Sequence, residues 1–377
     1  MIRLTIPSIE DDDLKSVSEV LASGYLVQGP RVEAFEQILC DYVGSKYAVA
    51  VSNGTAALHL SLLSLGVGPG DLVVVTAYSY VATANVIELC GAEPVFVDIL
   101  PDTFNIDPKQ LETTLFRLME SEETQSRVKA ILPVHTFGQV AEMPVIMELA
   151  ERYDLPVVED AACALGATLG GRQAGTWGEL GCFSFHPRKA ITTGEGGAIV
   201  TDDPTMARKL RALRNHGQDP GATEPDFILP GFNYRLTELQ AALGASQMKK
   251  LDRIIAARIQ LAANYQNFLS GTSLQLPVVG PGRQHIYQSY VTLLPDDHVD
   301  HRRTMIQGLK TEGIEITIGT WHMPLVSYYR NRYGHQPGDF PNTDEVFSRS
   351  MTLPLFETMT LDQQKKTANA LQVLLGK

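Results

Sequence analysis

Lys189 closes the string Ser184-Phe185-His186-Pro187-Arg188-Lys189, and Gly194-Glu195-Gly196-Gly197 follows within a few residues. Apolar runs at 182–185 and 198–200 bracket it, a poor setting for a solubilising surface charge. Partial burial disfavours the charged form of a lysine, and the neutral amine is a nucleophile that condenses with an aldehyde. A lysine that only caps a loop is the alternative. Asp160 is the second chemical signal, at the end of the short apolar run in Val157-Val158-Glu159-Asp160-Ala161-Ala162. A carboxylate beside a pyridine nitrogen keeps that nitrogen protonated and the ring an electron sink; carboxylates at strand ends also cap helices and form turns. The third signal is Ser52-Asn53-Gly54-Thr55-Ala56-Ala57-Leu58, where an apolar strand at 47–51 joins an apolar helix running to about Leu65. A helix start offers free N–H groups and the positive end of the macrodipole to an anion, and Gly54 lets a phosphate approach the main chain; a plain N-cap is the alternative.

A nucleophilic lysine, a ring-nitrogen partner and a phosphate cradle are together what pyridoxal 5'-phosphate requires, with Gly54, Thr55 and Ala56 at its phosphate, Asp160 at its ring and Lys189 at its aldehyde. Along the chain the strings SNGTAALHLSL, TAYSYVATANVI, GAEPVFVDI, PVHTFGQVAEM, VVEDAACALGA, GCFSFHPRKAITTGEGGAIVTDD, LRNHGQ and GFNYRLTELQAALG run from Ser52 to Gly244. In these strings the sequence resembles the sugar aminotransferases of the DegT/DnrJ/EryC1/StrS family, within the fold-type I pyridoxal phosphate enzymes. The resemblance implies an aromatic stack on the cofactor from Tyr80, whose alternative is a core tyrosine. It implies a phosphate bond from Ser184, whose alternative is a strand serine bonded to the main chain, and another from Asn233, the latter supplied by the neighbouring subunit of a homodimer with composite sites. A turn asparagine is the alternative for Asn233. Arg235 is read either as a clamp on a donor carboxylate or as a structural salt bridge, and His186 and His216 as structural residues.

One position departs from the family pattern. Where the family usually carries Gln or His near the phenolic oxygen of the cofactor, this chain has Cys163, a much weaker hydrogen-bonding group. Residues 319–329 also depart from the commoner His-Tyr-Pro pattern in a stretch that the resemblance puts at the sugar end of the site. The implied activity is transfer of an amino group from L-glutamate to a nucleotide-linked keto-hexose, a 4-keto-6-deoxy sugar ahead of a 3-keto one. A cyclitol aminotransferase would share every motif, and a cofactor-loaded sensor or inactive partner subunit is a further alternative. A dehydratase of the same family is disfavoured, because those members replace the lysine that is present here as Lys189.

The elements that must position these residues follow a βα rhythm. Strands are expected at 47–51, 72–76, 94–97, 130–134, 156–159, 182–185 and 198–201, alternating with helical patterns, which predicts an α/β fold with ligands beyond the strand ends. With the resemblance, this is a large, mostly parallel seven-stranded sheet domain over residues 1–245 and a smaller C-terminal α+β domain over 246–377. One helical stretch is expected over 237–269, a Pro/Gly-rich linker at 276–282, strands around 287–294 and 314–318, a helix over 302–312 and a last helix capped by Thr360 and running to about Leu375. The 377 residues exceed one typical core. A net charge of −12 without a Lys/Arg-rich run argues against nucleic acid or an anionic membrane as partner. No run approaches the roughly 20 apolar residues of a membrane span, and the start MIRLTIPSIEDDD is unlike a secretory signal. The four cysteines are far apart with no C-x-x-C pair, which fits buried thiols in a reducing cytoplasm better than zinc or disulfides.

Overall fold

A computed structural model describes residues 1–376. Its frame is seven strands: β1 Tyr47–Val51, β2 Leu72–Thr76, β3 Glu93–Val97, β4 Val128–Leu132, β5 Val158–Asp160, β6 Leu180–Ser184 and β7 Gly197–Thr201. They form a four-stranded ladder, β1-β7-β6-β5, and a three-stranded one, β3-β2-β4. Isolated parallel bridges, Ile131 to Val157 and Val134 to Asp160, set the two ladders side by side. β7 runs antiparallel to both its neighbours, and the other pairings within the ladders are parallel. Strands covered on both faces read as continuous apolar runs rather than alternating ones, as in Leu72–Thr76 and Gly197–Thr201, where every residue is buried.

The period of two still decides which residue feeds which core. Ala48, Ala50, Leu72 and Val74 join Phe35, Leu39, Ile146 and Leu149 of helices Pro30–Val43 and Met143–Arg152 on one face. Val49, Val51, Val73 and Val75 join Leu58, Leu60, Leu210 and Leu213 of helices Gly54–Ser64 and Pro204–Arg214 on the other. Each such buried branched side chain stabilises the fold by about 1.5–3 kcal/mol relative to exposure, so the sheet is a rigid base for the loops at its strand ends.

The expected helix over 237–269 is two helices, Glu238–Met248 and Leu251–Leu269. Between them Lys250 is drawn to the first turn of helix Asp11–Ser23, with Nζ 2.5 Å from Asp13 and 2.9 Å from Asp12. Apolar spacing continues on both sides of the break, so periodicity alone does not register it. Leu251 and Ile254 pack with the sheet and Leu261, Tyr265 and Leu269 with a third cluster, so the second helix spans both. A division at 245/246 falls inside helix Glu238–Met248. The third cluster adds the antiparallel pair Tyr290–Leu293 and Ser350–Leu353 and helices Arg302–Thr311 and Leu361–Leu374, and it also takes Ile2 from the chain start.

No strand forms at 314–318. Ile314 bridges Ile2 and Thr317 bridges Thr352, so the segment changes partner before a ladder can develop. Thr360 caps the last helix through a capping box with Gln363, as the sequence predicts. One short pairing matters for the site: Trp321–His322 lies antiparallel to Tyr78–Ser79, with Trp321 opposite Ser79.

Candidate active site

The chain between β1 and helix Gly54–Ser64 turns sharply under Asn53, whose side-chain Oδ1 accepts from the amide of Ala56 at 2.8 Å. The Ala56 N–H is therefore engaged within the chain. The preceding amides of Gly54 and Thr55 are among the helix-start donors without an intrahelical acceptor. Two glycines allow the strand ends to converge here. A Cβ on Gly54 would lie 2.9 Å from Cβ of Ser184 at the end of β6, and one on Gly197 at the start of β7 would lie 2.5 Å from the carbonyl of Asn53. Gly54, Thr55 and Ser184 thus share one corner, a cradle of backbone donors and a hydroxyl that suits a phosphate.

Beyond Ser184 the chain folds back on itself. The amide of Lys189 donates to the His186 carbonyl at 2.8 Å, and those of Arg188 and Thr193 to His186 Nδ1 at 3.2 Å and the Phe185 carbonyl at 2.9 Å. Burial pushes the His186 imidazole below its ordinary value, so it is neutral at pH 7 with Nδ1 as the acceptor. The partly buried Lys189 side chain reaches Cys163, with Nζ 3.0 Å from Sγ. From the C-terminal unit, the side-chain amide of Gln288 donates to the carbonyl of Arg188. Lys189 is therefore fixed at the strand-to-turn join from which the sequence reading began, and Cys163 is its neighbour.

β5 delivers two adjacent carboxylates, and the alternation of a strand sends them to opposite faces. Glu159 is fully consumed: it accepts from the amides of Gly175, Trp177 and Gly178 at 2.6–2.8 Å and meets His135 Nε2 at 2.7 Å, while His135 Nδ1 accepts from Ala141. Asp160, also buried, accepts at Oδ2 from Thr83 at 2.8 Å and at Oδ1 from Ala162 at 3.2 Å. A carboxylate has about four acceptor positions, so Asp160 keeps capacity for a further donor such as a ring N–H. Sequence reasoning missed Thr83 and the Glu159–His135 network. Thr83 stands within TAYSYVATANVI, where only Tyr80 draws notice by type.

Tyr80 is 64 % exposed, which removes the core-packed alternative. Asn233 is exposed too, and its backbone bridges Asn215. The segment around it lies along the cradle turn of its own chain, with Arg235 bridging Val51 and the Ser52 amide donating to the Tyr234 carbonyl at 2.8 Å. The Arg235 guanidinium bonds Asn215 Oδ1 at 2.5 Å, an amide rather than the carboxylate of a salt bridge. No set of three or more His, Cys, Asp or Glu among the described residues is grouped to hold a metal ion, and no helix among them is long and apolar enough to cross a membrane.

The model of the DegT/DnrJ/EryC1/StrS aminotransferase family matches residues 7–372. The chain belongs to that family. It is an aminotransferase, and the corner formed by β1, β5, β6 and β7 is its candidate active site. The chain is 39 % identical to GDP-perosamine synthase of Caulobacter vibrioides over 317 residues, covering 83 % of each chain. It is 36 % identical over 370 residues to the spore coat polysaccharide biosynthesis protein SpsC of Bacillus subtilis, covering 95 % of this chain and 93 % of the relative. Among solved structures, the Streptococcus pneumoniae protein Spr1654 in its PMP form superposes with a TM-score of 0.92 at 27 % identity, over 100 % of this chain and 99 % of the other; the same protein is also solved in a PLP form.

Proposed function

We propose that the protein uses pyridoxal 5'-phosphate to move an amino group from L-glutamate to a nucleotide-linked keto-hexose, a 4-keto-6-deoxy sugar by preference, in amino-sugar or polysaccharide biosynthesis. The observation that carries the reading is the convergence of Lys189, Asp160 and the Gly54–Thr55 amides at one end of the sheet. The residues present fit the cofactor: a cradle narrowed to glycine, a half-buried lysine amine and a buried carboxylate with acceptor capacity to spare. When bound, the cofactor supplies an aldehyde for the donor amine and a ring that withdraws electrons from the donor carbon.

Gly54, Thr55 and the Ser184 hydroxyl hold the phosphate, and Asn233 completes that cradle from the neighbouring subunit of a homodimer. Asp160 holds the proton at the ring nitrogen. Tyr80 covers a ring face from its exposed position beyond the strand Tyr78–Ser79. Lys189 would act as the general base that moves a proton at the donor carbon. The Cys163 thiol, beside Lys189, would lie near the phenolic oxygen. The C-terminal strand Trp321–His322, laid against Ser79, brings residues 319–329 to the sugar side.

The relation to GDP-perosamine synthase supports a nucleotide-linked substrate. An acidic protein must concentrate donors locally to hold a diphosphate, and the nucleotide supplies anchoring energy that a free sugar lacks. The test is to convert the protein with L-glutamate and then offer the amine form a panel of nucleotide-linked 3-keto and 4-keto hexoses, free keto sugars and cyclitol ketones, following absorbance. Return of the aldehyde form with the nucleotide-linked 4-keto sugars is the expected outcome. Return with cyclitol ketones alone would replace this reading with a cyclitol aminotransferase, and no conversion by any amino donor would leave a cofactor-loaded sensor.

A further inference from the structure

Asp160 is gripped from the side by a hydroxyl pair. Thr83, at the start of helix Ala82–Leu89, places Oγ1 2.8 Å from Asp160 Oδ2, and Ser79 Oγ lies 2.9 Å from the same threonine oxygen. All three side chains are at least 95 % buried. The direction of the bonds follows from chemistry: an ionised carboxylate only accepts, so the single Thr83 proton points to Asp160 and the Thr83 oxygen accepts from Ser79. Ser79 in turn belongs to the strand that pairs with Trp321–His322 of the C-terminal unit. A continuous path therefore runs from the segment on the sugar side of the site, through Ser79 and Thr83, to the carboxylate at the cofactor ring.

We infer that Thr83, backed by Ser79, is a positioning residue that holds the Asp160 carboxylate aimed at the ring nitrogen. With Thr83 on Oδ2 and the Ala162 amide on Oδ1, each oxygen has one fixed donor, which sets the rotation of the carboxylate plane. Chained hydroxyls polarise one another, so the outer Ser79 bond strengthens the inner one. The inference rests on the reading that Asp160 faces the ring nitrogen. Its alternative is a buried hydroxyl pair that only completes local packing.

The experiment compares binding of pyridoxal phosphate with binding of 1-deazapyridoxal phosphate, which presents a carbon where the ring nitrogen would be, to wild type and variants. In the wild type, Asp160 favours the natural cofactor. Thr83→Val should reduce that preference about tenfold, the scale of a lost hydrogen bond to a charged group, and should slow the L-glutamate half-reaction while leaving the KM for glutamate nearly unchanged. Thr83→Ser, which keeps the hydroxyl, should restore both. Equal weakening toward the two cofactors, or no change, overturns the positioning role and leaves local packing. Should Thr83→Val not fold, Ser79→Ala makes the same comparison at about threefold, and an unaltered preference there overturns the relay. Asp160→Asn is the control on the underlying reading: if it too leaves the preference intact, Asp160 does not face the ring nitrogen.

Discussion

Lys189 Nζ and Cys163 Sγ meet at 3.0 Å, and Asp160 stands buried at the end of β5, so each of the three residues carries a prediction. Borohydride reduction of the loaded protein followed by peptide mapping should find the cofactor on Lys189, and its recovery on another lysine would discard the assignment. Asp160→Asn should keep the cofactor but slow the glutamate half-reaction about a hundredfold or more, because the ring nitrogen loses its charged partner; near-normal turnover would remove Asp160 from that role. The third prediction concerns the thiol. Replacing Cys163 by Gln puts a stronger hydrogen-bonding group beside the lysine and the phenolic oxygen, so the visible-absorbance titration of the loaded protein should shift while the cofactor stays bound. An unchanged titration would place the thiol away from the ring. The placement of Lys189, Asp160 and Gly54 near strand ends is legible in sequence because these residues are conspicuous by type and by position. Thr83 is not: one threonine in an apolar helix start looks like any other until Asp160, 77 residues away in the chain, is seen at its hydroxyl.

At the scale of elements, strands β1 and β2 have the bounds that their apolar runs predict, since every residue but Tyr47 is buried and polar Lys46, Ser52 and Asp71 flank the runs. The sequence is silent where a tertiary contact decides. Lys250 turns the chain between two helices because Asp12 and Asp13, far back in the chain, hold its amine, and the 314–318 segment fails as a strand because its neighbours are single residues from different elements. The convergence of β1, β6 and β7 depends on contacts of the same kind, made by glycines. Gly197→Ala would drive a Cβ to 2.5 Å from the Asn53 carbonyl. The turn must then move, so pyridoxal phosphate affinity should fall at least about tenfold, with a stability loss of about 1–3 kcal/mol in denaturant titrations. Wild-type affinity in that variant would show that the cradle does not depend on this close approach.

For the whole molecule, the exposed Asn233 motivates a test of the composite site. Mixing Lys189→Ala with Asn233→Ala subunits should restore activity in heterodimers that collect both lesions in one site, and no recovery despite measured subunit exchange would confine Asn233 to its own chain or to no role. Acid stability is a second property of the whole. Burial pushes His285 down to about 3, whereas the unfolded chain titrates near 6.5. The unfolded state therefore binds more protons between those values, and stability falls as pH drops through that window, by about 2 kcal/mol at pH 5 from this residue. His285→Asn should flatten the dependence of denaturation midpoint on pH between 6 and 4; an unaltered slope would exclude His285 as its source.

The pairing of β1 with β7, Tyr47 against Thr201, also has a consequence in time. The cradle turn hangs on β1 and is walled by the first residue of β7, while Lys189 lies just ahead of β7. A chain growing from its N-terminus holds the cradle residues long before the strand that closes over them exists, and long-range strand pairing is slow because loop closure must come first. The vitamin-derived cofactor therefore finds its full receptor only after more than half of the polypeptide has been synthesised. On the proposed reading loading is a late event in the life of the molecule, and a chain truncated before β7 would have the cradle residues without the strand that walls them.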